Sequence, residues 1–176
     1  MRKIYFTADT HFGHMFALTK RHRPFDSLEV MDALLIARWN ETVEADDEVY
    51  HLGDVAHAEH TALADILGRL NGRLHLILGN NDDRRAMEAT GRFASICEMR
   101  EMKIGCQCIF LCHYPLREWP NAWRGAWHLY GHVHGKFDRD PQGLSLDVGV
   151  DSHNFAPVTL DRVAALMRAR APGAAA

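Results

Sequence analysis

The sequence predicts an α/β (α+β) fold in which two packed β-sheets are flanked by helices. Three observations predict it: strand and helix patterns alternate through the first half of the chain, short strand patterns dominate the second half, and polar blocks follow several strands. This order of elements fits two packed sheets better than a doubly wound sheet or a closed barrel. The 176 residues suffice for one domain, which would bury roughly 70 % of its unfolded surface.

Alternating strands and helices are predicted in the first half of the chain. Apolar runs that end at polar residues indicate three strands, at 2–8, 48–52 and 73–78. Apolar residues at helical spacing indicate helices at 27–43, 61–70 and 83–90. Ser27 is expected to cap the first of these helices, because its side-chain oxygen can accept a backbone N–H of the first turn. Residues 10–27 are expected to form an irregular loop.

Short strands separated by turns are predicted in the second half, at 93–99, 102–104, 107–112, 127–130 and 144–148. Thr159 is expected to cap a last helix that ends at Met167. We therefore expect a single domain over residues 1–167. Residues 168–176 have the composition of a disordered C-terminal tail.

Composition and charge argue against several functional classes. The net charge of −3 disfavours a broad basic face, so extended nucleic acid is not the expected partner. The sequence has no apolar stretch of the roughly 18 to 20 residues that a membrane span needs. No secretory signal pattern follows Met1, so we expect a cytoplasmic protein with reduced cysteines. Buried core thiols are the first expectation for Cys97, Cys106, Cys108 and Cys112, with a structural metal or a redox pair as alternatives.

Five polar blocks carry the candidate metal ligands. Their side chains are carboxylates, imidazoles and a carboxamide, which suit hard and borderline divalent ions. Because four of the blocks follow an apolar run, ligands at strand ends can converge from distant parts of the chain. If Asp54 lies between two ions and is shared, each ion has four protein contacts and keeps positions open for water and substrate. The seven candidate ligands are Asp9, His11, Asp54, Asn80, His113, His132 and His134.

Local backbone geometry is expected to direct these ligand side chains towards one site. Asp9 and His11 are two residues apart, so both would project to the same side if strand geometry continues through them. Gly53 is expected to allow a sharp turn just before Asp54, and Gly79 is expected to do the same for Asn80.

The blocks resemble those of the calcineurin-like metallophosphoesterase superfamily from Lys3 to roughly Asp151. The superfamily pattern is Asp-x-His, Gly-Asp, Gly-Asn-His-Asp or Glu, a single His, and Gly-His-x-His. Within the superfamily, the closer resemblance is to small phosphoesterases of bacteria and phages, which carry Asp-Thr-His-Phe-Gly-His and His-Tyr-Pro. Here these stretches begin at Asp9 and at His113. The resemblance implies a four-layer α/β/β/α double β-sandwich with the metal site at strand ends.

The resemblance also implies an activity and a cofactor. It implies hydrolysis of phosphomonoester, phosphodiester or phosphoanhydride bonds by a metal-bridging hydroxide, on a small phosphorylated substrate such as a nucleotide. Mn²⁺ is the first expectation for the two divalent ions, with Fe, Ni, Co and Zn as alternatives. The first ion would be held by Asp9, His11, Asp54 and His134, and the second by Asp54, Asn80, His113 and His132.

Asn81 departs from the family pattern, which has a histidine at this position. In the family that histidine contacts the scissile phosphate and is assigned to protonation of the leaving group. A neutral amide cannot act as a general acid, although it can donate a hydrogen bond to a phosphate oxygen. Three interpretations stay open: an enzyme for substrates with acidic leaving groups, an enzyme in which His14 or His57 substitutes, or a metal-binding scaffold for protein partners.

Residues around the blocks have candidate roles. Trp119, Trp123 and Trp127 are four apart and predict either an aromatic lid or a helical stripe that packs on the core. Candidates for stabilising the charge of a phosphate are Arg84, Arg85, Arg117 and Arg124. Candidates for orienting the ligating histidines are Asp82, Asp147 and Asp151, with His153 undetermined.

Overall fold

A computed structural model of the protein describes residues 2–21, 23–57 and 60–170. Nine strands and five α-helices are present within these ranges. The strands form one five-stranded and one four-stranded sheet, so the predicted α/β class with two sheets and flanking helices is confirmed.

The first sheet has the order β4-β3-β2-β1-β9. Its first four strands run parallel to their neighbours, whereas β9 pairs with β1 in the antiparallel direction. The carboxyl ends of β1, β2 and β3 therefore lie at one edge of this sheet. The strand bounds are β1 (Ile4–Thr7), β2 (Glu48–His51), β3 (Arg73–Ile77), β4 (Phe93–Cys97) and β9 (Val158–Thr159).

The second sheet has the order β5-β6-β7-β8. The hairpin of β5 and β6 is antiparallel, and β6, β7 and β8 run parallel to one another. The carboxyl ends of these three strands also lie at one edge. The bounds are β5 (Met99–Ile104), β6 (Gln107–Cys112), β7 (Trp127–Tyr130) and β8 (Ser145–Asp147).

Two apolar clusters stabilise the packing of these layers. Side chains of both sheets, such as Phe6, Leu52 and Leu129, form an interior that is fully shielded from solvent. The other face of the first sheet packs against helices through residues such as Leu35 and Leu67. The helix bounds are α1 (Met15–Lys20), α2 (Leu28–Thr42), α3 (His60–Gly68), α4 (Arg84–Ala89) and α5 (Leu160–Arg170).

Most predicted elements are present, with several differences. The strand predicted at 93–99 ends at Cys97, and the strand predicted at 102–104 begins at Met99. Ser27 caps α2 as predicted, since its side chain accepts the N–H of Val30. The predicted loop at 10–27 contains α1, and the two-residue strand β9 was not predicted. The last helix continues to Arg170 rather than ending at Met167, and residues 171–176 of the predicted tail lie outside the described residues.

None of the described helices combines the length and the apolar character needed to cross a membrane.

The outer face of the second sheet is covered by the segment at 113–126, through contacts such as Trp119 with Phe110 and Cys112. This segment contains a 3-10 turn, Ala122–Arg124, instead of a longer helix.

Candidate metal centre

The structure brings the predicted ligands into two adjacent groups at the carboxyl ends of the parallel strands. One group contains Asp9, His11 and His134, and the other contains Asp54, His113 and His132. Within each group, one ligand atom from every residue lies within 4.8 Å of the others. Each group is a carboxylate with two imidazoles, so each could hold a divalent metal ion.

Asp54 lies between the two groups. Its Oδ2 is 3.5 Å from Nε2 of His11, and its Oδ1 is 3.6 Å from Nε2 of His113. The two oxygens of one carboxylate therefore face different groups. Asn80 adds a seventh side chain, since its Oδ1 is 3.2 Å from Nε2 of His113.

The backbone at the ligands does not continue the strands. Strand β1 ends at Thr7, and both Asp9 and His11 adopt the left-handed region. The expectation that strand alternation aims these two side chains is therefore wrong. A non-glycine residue in this region costs about 1–3 kcal/mol and persists where surrounding contacts impose it. Five of the seven candidate ligands share this conformation, with φ between 51° and 73°: Asp9, His11, Asp54, His132 and His134.

Two glycines allow the ends of β2 and β3 to approach each other. Gly53 has a φ of +91°, and a Cβ at this position would lie 2.5 Å from the backbone N of Gly79. A Cβ on Gly79 would lie 2.3 Å from Oδ1 of Asp54. No side chain fits at either position, so these glycines are needed for the position of Asp54.

The electrostatics of Asp9 fit a bound cation. The residue is fully buried, and its Oδ1 has no hydrogen-bond partner among the described residues. This atom is 4.0 Å from Nε2 of His11 and 4.0 Å from Nε2 of His134. Burial and the nearby carboxylates of Asp147 and Asp54 raise the pKa of Asp9 well above its usual range. A buried, unpaired carboxylate oxygen is costly unless a cation compensates it.

Three of the candidate histidine ligands have lowered pKa values, which favour the neutral form that binds metals. Burial lowers the pKa of His11 to about 3 and also lowers the pKa of His113 and of His132. All three rings are therefore neutral at pH 7, and a neutral imidazole offers a lone pair to a metal ion. His113 directs its Nδ1 at the backbone oxygen of Leu52, 2.7 Å away, which leaves Nε2 facing the ligand cluster.

Asp151 and Arg23 support His134 from outside the cluster. Oδ2 of Asp151 is 2.7 Å from Nδ1 of His134, and Arg23 donates to both oxygens of Asp151 at 2.9 Å. Arg23 is buried and also donates to the backbone oxygens of Asp9 and Thr10. Burial alone would raise the pKa of Asp151, but the hydrogen bonds from His134 and Arg23 lower it well below its usual range.

Of the three aspartates considered for orienting histidines, Asp151 is the one that contacts a candidate ligand ring. Asp82 instead accepts the N–H groups of Asp54, Val55 and Gly79, and so ties the loop after β2 to the loop after β3. Asp147 accepts N–H groups of the loops that follow β7 and β8. His153 directs its Nε2 at the backbone oxygen of Asp147 and does not reach the ligands.

Asn81 and two further histidines border the ligands. The backbone N–H and side-chain amide of Asn81 donate to the two oxygens of Asp54. Nδ1 of His14 is 3.1 Å from Nδ1 of His11, and the ring of His14 stacks on that of His57 with centroids 4.7 Å apart. Burial and the positive charge of His57 in its protonated form lower the pKa of His14.

The three tryptophans occupy unrelated positions. Trp119 is buried on the outer face of the second sheet, Trp123 is 77 % exposed, and Trp127 lies in β7. Left-handed residues at Asn121 and Gly125 interrupt the segment, so no helical stripe forms. None of the three lines the cavity that contains Asp54, so the predicted lid is wrong. Trp119 and Trp127 do pack against apolar clusters, as the alternative predicted, but not as a helical stripe.

The arginines singled out from the sequence also lie elsewhere. Arg84 pairs with Glu88 and Glu98, Arg124 stacks on Trp123, and Arg117 lines a separate cavity. The structure places a different arginine, Arg21 at the end of α1, in the wall of the ligand cavity. Sequence reasoning missed it because α1 itself was not predicted.

Carboxylates and imidazoles gathered at the strand ends of two packed sheets are typical of metal-dependent hydrolases. A family profile described as a calcineurin-like phosphoesterase superfamily domain matches residues 2–148. The chain belongs to this superfamily, which confirms the predicted family.

An uncharacterized protein of Methanocaldococcus jannaschii is 32 % identical over 174 residues, covering 95 % of this chain and 92 % of that protein. The gene 66 protein of Mycobacterium phage L5 is 27 % identical over 183 residues, covering 86 % of this chain and 88 % of that protein. A crystal structure of a protein of unknown function from Aquifex aeolicus has a TM-score of 0.76 at 20 % identity, covering 94 % of this chain and 100 % of that one. This last similarity concerns the fold alone.

Proposed function

We propose that this protein is a phosphoesterase that uses two divalent metal ions to hydrolyse phosphomonoester, phosphodiester or phosphoanhydride bonds. The position of Asp54 carries the proposal, because its two oxygens face two separate groups of imidazoles. Mn²⁺ is the first candidate for both ions, and Fe, Ni, Co and Zn are alternatives. The substrate is a small phosphorylated compound, and the free thiols support a cytoplasmic location.

Each ion would have four protein ligands. Asp9, His11, Asp54 and His134 would hold the first ion, and Asp54, Asn80, His113 and His132 would hold the second. Two bound ions of this kind supply Lewis acidity, lower the pKa of a water ligand and neutralise phosphate charge. The unpartnered oxygen of Asp9 and the neutral histidines support this assignment.

The protein supplies orientation around the ions. The contact of His113 with the Leu52 oxygen, and that of His134 with Asp151, each fix one ring nitrogen so that Nε2 faces the ligand cluster. Asn81 holds the carboxylate of Asp54 through two hydrogen bonds. Its amide is also on the wall of the ligand cavity, where it can donate to a non-bridging phosphate oxygen.

Asn81 should determine which leaving groups the enzyme hydrolyses fastest. An amide cannot protonate a leaving group, so we expect the best substrates to carry acidic leaving groups such as phosphate anhydrides, nucleotides or aryl diesters. His57 is the candidate for replacing the missing proton donor, because it stacks on His14, which lines the ligand cavity.

The test is hydrolysis of nitrophenyl phosphate monoesters and diesters with Mn²⁺, Ni²⁺, Co²⁺ or Zn²⁺ added separately. We expect turnover with at least one metal, and we expect Asp54→Ala to lose both activity and bound metal. Asp161→Asn, an exposed carboxylate on α5, is the matched control and retains both. Metal binding without turnover on any ester would instead favour a scaffold for protein partners, and full turnover by Asp54→Ala would refute the ligand assignment.

A further inference from the structure

Helix α1 forms part of the wall of the ligand cavity. This cavity has a volume of about 220 Å³ and contains Asp54, Asn80 and His132 from the strand ends. From α1 and its end it receives Phe16 and Arg21. These two side chains have no part in the metal assignment above, so they are free to contact what the metals bind.

Arg21 supplies a positive charge at the cavity wall. Among the described residues, no carboxylate lies within ion-pair distance of its guanidinium. A guanidinium presents several N–H donors in a plane and matches the oxygens of a phosphate group.

Phe16 supplies a flat apolar surface beside the same cavity. Its side chain is 52 % exposed although it is large and apolar. Its ring stacks on His14 with centroids 5.8 Å apart, and His14 stacks in turn on His57. The three rings therefore form one stack, and the half-exposed ring of Phe16 at its end is a suitable contact for a planar ring.

We propose that α1 recognises the substrate: Arg21 binds a non-bridging oxygen of the phosphate, and Phe16 packs against a planar ester group. The preferred substrates are then phosphate esters of aromatic or heteroaromatic compounds, with nucleotides included. This inference rests on the proposed function, because it takes the metal-binding cavity as the substrate site. It adds two binding residues and selects, from the substrates proposed there, those with a planar ester group.

Binding of non-hydrolysable phosphonates to the Mn²⁺-loaded protein tests the proposal without relying on turnover. Phenylphosphonate and methylphosphonate share the charged group and differ in the planar ring. Isothermal titration calorimetry should show tighter binding of phenylphosphonate to the unmodified protein. Arg21→Ala should weaken both ligands by about 10- to 100-fold, the loss expected for a charge-assisted hydrogen bond. Arg21→Lys should recover part of this loss.

Phe16→Ala should weaken the binding of only one of the two ligands. It should weaken phenylphosphonate by about 2- to 10-fold, as expected for an aromatic contact, and leave methylphosphonate unchanged. Met15→Ala and Lys20→Ala alter exposed neighbours on α1 outside the cavity, and both should bind as the unmodified protein does. Metal content, measured by inductively coupled plasma mass spectrometry, should be the same in all variants.

The outcomes separate the two proposals. Unchanged affinities in Arg21→Ala, an equal effect of Phe16→Ala on both ligands, or no phosphonate binding to the metal-loaded protein would each overturn the inference. If the expected affinity changes occur but no phosphate ester is hydrolysed, the inference stands as a binding site and the proposed enzymatic function fails.

Discussion

The side-chain amide of Asn81 donates to Oδ2 of Asp54 at 2.7 Å, while the backbone N–H of the same residue donates to Oδ1 at 2.9 Å. The residue that stands in place of the family's histidine therefore holds the carboxylate that lies between the two ligand groups. Together with His113, these contacts offset the effect of burial and lower the pKa of Asp54, which keeps it ionised. Asn81 thus favours a metal-binding carboxylate but cannot protonate a leaving group.

A histidine at position 81 should restore proton donation. We expect Asn81→His to raise turnover on alkyl phosphates by about 10-fold or more, since general acid catalysis contributes about 10² to 10⁴-fold. Nitrophenyl esters should gain little, because their leaving groups depart without a proton. Steady-state kinetics on both substrate types checks this, with Asn81→Gln as the control that keeps an amide. Equal gains in turnover on alkyl phosphates and nitrophenyl esters would contradict the idea that a missing general acid limits the enzyme.

Asp151 should increase the affinity for metal by orienting the ring of His134. Asp151→Asn keeps the size of the side chain but removes the negative charge that orients the Nδ1–H of His134. We expect metal affinity to fall by about 10- to 100-fold, the typical effect of losing such a supporting carboxylate. Competition with a chelating dye measures the affinity. A melting curve without metal should show a folded variant, and unchanged affinity would contradict the role.

Arg23 should be required for stability. Its side chain is 1 % exposed and donates hydrogen bonds to Asp151 and to the backbone oxygens of Asp9 and Thr10. Arg23→Met should lower the free energy of unfolding by about 3–5 kcal/mol, because it leaves these acceptors buried without a partner. Urea denaturation measures the loss. Arg162→Met, on the exposed side of α5, should change it by less than about 0.5 kcal/mol.

His51 should make the metal-free protein sensitive to acid. Burial lowers its pKa from 6.5 to about 3, so the unfolded chain binds a proton that the folded chain excludes. Its contribution to stability is complete above pH 6.5 and is lost as the pH falls from 6.5 toward 3, at up to about 1.4 kcal/mol per pH unit. In the presence of a chelator, His51→Phe should show a shallower fall in unfolding free energy over this range. Parallel curves for the two proteins would contradict this.

Residue type and order were sufficient to predict the family, the two sheets and which polar blocks meet. The directions in which the Asp9 and His11 side chains point were not predictable. They depend on a left-handed backbone conformation at both residues, which tertiary contacts impose. Arg23 was missed because its partner Asp151 is 128 positions away. Helix α1 was missed because its N-cap, His14, makes no side-chain capping bond and gives no start signal in the sequence.

Gly79 should be indispensable to the metal centre. A methyl group at this position would lie 2.3 Å from Oδ1 and 2.4 Å from the backbone N of Asp54. Gly79→Ala should therefore displace Asp54, abolish metal binding and lower the free energy of unfolding by about 1–3 kcal/mol. Gly68→Ala is the matched control, since a Cβ there meets nothing within 4 Å and alanine favours the end of α3. Metal content and melting temperature measure both effects, and full metal content in Gly79→Ala would show that the loops after β2 and β3 can separate without losing the site.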